Sequence, residues 1–191
     1  MRLSADRYEG ERRQYTLALS MVEHGARLRT ITRWTGLSKF QIYNLSQTYA
    51  SATRTHCKRG VSPYQPAYFS KSLKIARESA AFAYIALQMQ AIPDGVVPDA
   101  ARSLPSVTRG ECLMSAFEVY RALLPDPLIS LEHAILLITE LAQRHTLILA
   151  RCRSCPEVMV LDRLGPRHGL CPSCRTKHRV RRTSRGLLRQ Q

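Results

Sequence analysis

Apolar residues along most of this chain recur at helical spacing. Over 11–24, Tyr15, Leu19 and Val22 fall at three- and four-residue steps, and Leu17, Ala18 and Met21 widen the stripe. Gly25 follows as a helix-ending residue, which predicts a first helix over 11–24. Leu28, Ile31 and Trp34 then share one face. Thr35-Gly36-Leu37 reads as a tight turn with an apolar plug, and Ser38 as an N-cap. Beyond it Ile42, Leu45 and Tyr49 continue an apolar face. Two short amphipathic helices about a glycine turn form a helix-turn-helix pattern, with Leu37 and Ile42 buried between them.

Residues 50–70, with Gly60, Pro63 and Pro66, read as a linker or extended loop. Its Tyr64, Tyr68 and Phe69 are expected to pack onto the body. A helix follows over 71–92, with a small-residue stripe of Leu73, Ala76, Ala80, Ala83, Tyr84 and Leu87. It suits close helix packing or a subunit contact, and Pro93-Asp94-Gly95 turns the chain after it. Residues 93–110 read as loop, and 111–124 as a helix with Leu113, Phe117, Tyr120 and Leu124 inward. Residues 128–145 form a strongly apolar helix through Leu128, Leu131, Ala134, Ile135, Ile138, Leu141 and Ala142. Glu132, His133, Glu140 and Arg144 lie on its polar face. Residues 145–152 and 158–161 have strand character, and Gly165-Pro166 turns the chain.

The fold class is therefore mainly α: an N-terminal helix-turn-helix and helical body with a small C-terminal zinc-ribbon module. The expected divisions are 1–60, 61–150 and 151–191. At 45% hydrophobic residues there is material for a core, and no apolar run approaches the ~18 residues of a bilayer span. No signal peptide is recognisable at the N-terminus, so the expected location is cytoplasmic.

Charge sharpens this picture. The net +15 is uneven: residues 1–60 hold eleven Lys/Arg against four Asp/Glu, 61–150 seven against eight, and 151–191 eleven against two. Two basic ends flank a neutral middle. Phosphate polyanions fit such ends, because neutralising them releases condensed counterions. The neutral middle fits a packed, partner-binding body. A basic membrane helix would need a bulky apolar face beside its arginines, and the tail after Cys174 offers only Val180 within 175–185.

The chemistry with the most definite spacing lies between Cys152 and Cys174. Cys152-x-x-Cys155 and Cys171-x-x-Cys174 are separated by fifteen residues, the spacing of a structural zinc site. Each C-x-x-C turn aims two thiolates at one ion, and two facing turns complete a tetrahedron with Zn–S bonds of about 2.3 Å. One structural Zn2+ per chain is expected, because four thiolates leave no open position for substrate. Two disulfides are the alternative, as is replacement of one cysteine by His168 or His178. Cys57 and Cys112 have no assigned role.

Candidate DNA contacts follow from the helix-turn-helix and the tail. Lys39, Gln41 and Asn44, with Gln47 or Thr48, lie on the outward face of the second helix. Lys suits guanine or phosphate, and Gln and Asn pair with adenine. Arg27, Arg29 and Arg33 add charge on the first helix. Arg175, Lys177, Arg179, Arg181 and Arg182 follow the last cysteine. No P-loop, dinucleotide fingerprint or paired carboxylates occur, and the histidines are scattered, so the expectation is a non-enzyme with no small-molecule substrate.

The order of these parts resembles the FlhC family, the zinc-containing subunit of the bacterial flagellar master transcriptional activator. The resemblance covers nearly the whole chain. It rests mainly on Leu17 to Leu45, especially Gly25-Ala26-Arg27-Leu28 and Leu37-Ser38, and on Cys152, Cys155, Cys171 and Cys174. It implies that these four cysteines bind zinc. It also implies a hetero-oligomer with an FlhD-type partner that binds promoter DNA upstream of flagellar operons and recruits RNA polymerase. The sequence departs from the family in its Ser62–Phe69 loop, which has no Trp, and at Phe40, Gln41 and Asn44, where the family is more basic. A divergent paralogue fits those departures. An RNA- or ribosome-associated zinc-ribbon protein, or a zinc-ribbon adaptor for another protein, are the other classes compatible with the cysteines and tail.

Overall fold

The computed structural model describes residues 2–53, 60–92, 104–165, 169–171 and 173–177. Helices α1 (Arg2–Glu23), α2 (Leu28–Thr35) and α3 (Lys39–Thr53) come first. A 3-10 turn (Pro66–Ser70) leads to α4 (Leu73–Gln88), α5 (Val107–Leu123) and α6 (Leu131–Gln143). The antiparallel strands β1 (Leu147–Arg151) and β2 (Val158–Asp162) close the order. The chain is mainly helical, with a two-stranded sheet leading into the C-terminal cysteines. No helix among the described residues is long and apolar enough to cross a membrane.

Helix α1 starts well before residue 11. Its first turns carry no apolar stripe; they extend a helix already nucleated by the buried stretch Leu17–Val22. Exposed pairs Arg7–Glu11 (3.2 Å) and Arg12–Glu9 (2.9 Å) line that extension at i, i+4 and i, i+3 spacing. The later part of α1 is tied to α5 by Arg13, whose guanidinium meets both carboxylate oxygens of Glu111. Gly110 explains how closely these helices approach. A Cβ there would lie 2.6 Å from Leu17 Cδ2 and 3.3 Å from Trp34 Cε3, so any side chain would force the buried Leu17 and Trp34 side chains to give way.

The α2–α3 unit follows the helix-turn-helix pattern. Gly36 ends α2 at φ 75, where a side chain would be strained, and its N–H donates to Thr32 O. Leu37 and Ile42 are buried as expected. Ser38 Oγ accepts from the Gln41 N–H (3.3 Å) while Gln41 Oε1 accepts from the Ser38 N–H (2.9 Å), a reciprocal capping box.

One buried apolar cluster runs from Leu17 to Leu147 and takes in α1 through β1. Within it, Ala83 and Ala86 bring α4 close to its neighbours, while Phe82, Phe117 and Tyr120 meet edge-on or tilted. Ser72, Ser106 and Ser130 cap α4, α5 and α6.

Several inward assignments do not hold. Tyr49, Leu73, Tyr84 and Leu128 are exposed: each lies at or beyond the end of a stripe, or on its flank, where helical period alone does not decide coverage. Tyr64 is also exposed, whereas Tyr68 and Phe69 pack inward as expected and Tyr68 Oη donates to Leu128 O. Helix α6 begins at Leu131, because Ser130 caps it.

The polar face of α6 departs most from expectation. Glu132 is buried, and His133 is half-buried, stacked on Tyr68 with ring centroids 3.9 Å apart. Helix α2 explains Glu132. Its N-cap residue Arg27 supplies no side-chain cap, so Glu132 serves instead. Its carboxylate accepts from the Arg27 N–H (2.8 Å) and the Thr30 hydroxyl (3.0 Å). An anion here opposes the positive end of α2, and it also lies in the first turn of α6. A second buried carboxylate, Glu78, accepts from Tyr120 Oη (2.5 Å) and the Leu128 N–H (2.8 Å), holding α4, α5 and the α5–α6 connection together.

Candidate metal centre and helix-turn-helix face

Cys152 follows β1, Cys155 lies in the turn before β2, and Cys171 and Cys174 come from the return segment, whose 173–177 stretch is helical. The register Arg151↔Val158 holds the ends of the two strands together across the first C-x-x-C turn. The return segment is fastened by Arg153 N–H to Gly169 O (2.8 Å), and the first C-x-x-C turn is closed by Cys152 N–H to Glu157 O (2.9 Å). All four sulfurs lie within 4.8 Å of one another. Cys155 Sγ stands 3.6 Å from both Cys171 Sγ and Cys174 Sγ. A tetrahedral ion with bonds of about 2.3 Å separates its sulfurs by about 3.8 Å, so these spacings fit one metal ion. They are far longer than the about 2.05 Å of a disulfide.

The backbone favours thiolates. Cys152 Sγ accepts from the N–H of Cys171 (3.1 Å) and of Ser154 (3.4 Å), and Cys171 Sγ accepts from the Cys174 N–H (3.4 Å). Desolvation opposes ionisation of Cys152, but the N–H groups of Cys171, Ser154 and Cys155 outweigh it and bring its thiol down to about 6. Cys171 is held up, chiefly by burial. Four converging cysteines, with backbone N–H groups aimed at the sulfurs of Cys152 and Cys171, suit a thiophilic cation such as zinc. Met159, Ala150, Leu161 and Leu170 form a small apolar cluster around the cysteines. Strand β2 packs on α4, and Arg77 of α4 donates to Ser173 Oγ (3.0 Å), so the module rests on the body. His168, His178, Cys57 and the turn at Pro166 lie outside the described residues.

The candidate DNA residues separate into three groups. Arg29, Arg33, Lys39 and Asn44 are exposed on α2 and α3, and Arg175 and Lys177 are exposed beside the cysteines. Arg179, Arg181 and Arg182 lie outside the described residues. Arg27 and Gln41 both have partners within the fold, although Gln41 is exposed. Arg27 is half-buried, its Nε 3.9 Å from the Glu132 carboxylate. Gln41 uses its oxygen in the capping box and its Nε2 to donate to Tyr15 Oη (2.9 Å). The spacing that put Gln41 on the outer face of α3 also put it at the third helical position, where a serine-capped helix recruits it.

The sequence marks Phe40 only as a departure from the FlhC family, and Tyr43 not at all. They are 72% and 55% exposed; Phe40 lies on the side of α3 opposite Ile42, and Tyr43 lies between that side and the buried one. The signal was available: Phe40, Asn44 and Gln47 recur at i, i+4 and i+7. A further feature surrounds them. From His24 to Arg77 the chain contains no Asp or Glu, so α2 and α3 carry only basic charge. No protein-family model matches the chain, and no curated protein is significantly similar to it.

Proposed function

We propose that this chain is a DNA-binding subunit of a transcriptional activator, with a structural zinc ion held by Cys152, Cys155, Cys171 and Cys174. The observation that carries the reading is the α2–turn–α3 unit, whose exposed Arg29, Arg33, Lys39 and Asn44 lie in a stretch free of acidic residues. In this reading α3 enters the major groove, while Arg29 and Arg33 hold phosphates alongside it. Arg175 and Lys177 add a second phosphate contact from the metal module. The zinc folds that module and takes no part in chemistry, so the chain binds rather than catalyses.

The likeness to the FlhC family adds a partner and a target. An FlhD-type protein would complete a cytoplasmic hetero-oligomer that binds flagellar promoters and recruits RNA polymerase. Co-expression with such a partner, metal analysis and footprinting test this directly. Binding should weaken steeply with salt, with a log–log slope of roughly −0.9 per phosphate contact. Arg29→Ala and Arg33→Ala should weaken binding to all sequences and flatten that slope, whereas Asn44→Ala should relax sequence preference. Salt-insensitive binding, or a complex that protects no DNA, would overturn the proposal.

A further inference from the structure

The outward ridge of α3 is chemically mixed. Phe40, Asn44 and Gln47 line it, Tyr43 flanks it, and Lys39 stands at its start. All five are exposed. Large aromatic rings one turn from amides, on a stretch of chain with no acidic residue, mark a binding face rather than a solvated one. The same set matches an A·T base pair. In the major groove adenine offers N6 and N7 to a side-chain amide, and its thymine partner offers a 5-methyl group to an apolar side chain. Phe40 stands at the start of α3, the end of a recognition helix that reaches base edges.

We propose that Phe40 is a specificity-determining residue that reads a thymine 5-methyl group, with Asn44 and Gln47 reading adenine along the same ridge. This rests on the DNA-binding reading above and goes beyond it, because it names an apolar reader and the base it selects. The exposed Arg29, Arg33 and Lys39 of α2 and α3 favour a nucleic acid over an apolar protein surface as the occupant. Phe40 makes no part of the buried core, so its removal should leave the fold intact.

The test uses the full-length, metal-loaded chain with its co-expressed partner and duplexes enriched from a randomised pool. Thymines are replaced one at a time by deoxyuridine, which lacks the methyl group and keeps the same base pairing. The unaltered chain should lose about four-fold in affinity at one or two positions, the factor for one buried methyl group. Phe40→Ala should lose a similar factor on the thymine duplex and no longer distinguish thymine from deoxyuridine. Phe40→Leu should retain the distinction. Sequence preference with indifference to deoxyuridine at every position would overturn the role of Phe40 and leave the DNA reading standing. Absence of any sequence preference would overturn both. If Phe40→Ala instead lowers the mass of the complex in light scattering while thymine discrimination persists, the ridge is a protein interface and the proposal fails.

Discussion

Glu132→Ala should destabilise the whole helical body, and its size can be worked out from the contacts. The carboxylate accepts from the Arg27 N–H at 2.8 Å and from the Thr30 hydroxyl at 3.0 Å. Each is a hydrogen bond to a charged acceptor, worth about 1.5–3 kcal/mol. The Arg27 guanidinium, 3.9 Å away and partly exposed, adds little after screening. Removing a buried charge recovers part of its desolvation cost, which sets against the two lost bonds. The net expectation is a loss of about 3 kcal/mol, or a fall in Tm of about 6–12 °C at about 2–4 °C per kcal/mol. Glu132→Gln keeps the shape and one acceptor, so it should cost about half as much. Urea unfolding of the metal-loaded protein, followed by helical circular dichroism, measures both variants. The midpoint should move while the slope stays fixed. A loss under about 1 kcal/mol for Glu132→Ala, the size of an ordinary substitution, would refute the view that this carboxylate caps α2.

Tyr120→Phe removes a donor from the buried Glu78 carboxylate and should cost about 1.5–3 kcal/mol in the same assay, with no gain from the retained ring. Burial pushes the His133 imidazole below its ordinary value; nearby Glu132 opposes the shift and Arg27 reinforces it. The folded state therefore binds fewer protons than the unfolded one, so stability should be full above about pH 6.5 and fall as pH drops toward the folded value. His133→Gln should flatten that fall in a pH series of unfolding midpoints. Chelation should strip the metal ion from the four-cysteine cluster, and rebinding of a metal should release protons; Cys171→Ser should weaken metal retention, measured by competition with a chromogenic chelator.

What the sequence made legible was local. The four cysteines, the serine cap at Ser38, the glycine turn at Gly36 and the stripe Leu17–Val22 each announce themselves within a few residues. What it hid was tertiary. Glu132 reads as solvated because its neighbours in α6 say so, yet its acceptor role is set by an uncapped helix about a hundred residues earlier. Arg27 and Gln41 show the same effect from the other side: both look like free polar groups until the elements that recruit them are in place. Tyr84 and Leu73 err in the opposite direction, because period predicts a face and not whether another element covers it.

Trp34 gives the protein a built-in optical reporter. It is the chain's one tryptophan, 3% exposed, and it packs over Gly110 where α2 meets α5. Its fluorescence therefore belongs to a single junction. Emission should redden when the helix-turn-helix lifts off the body and hold steady when the cysteine module alone comes apart. The two events can be followed separately in unlabelled protein, with the indole watching one end while metal release reports on the other.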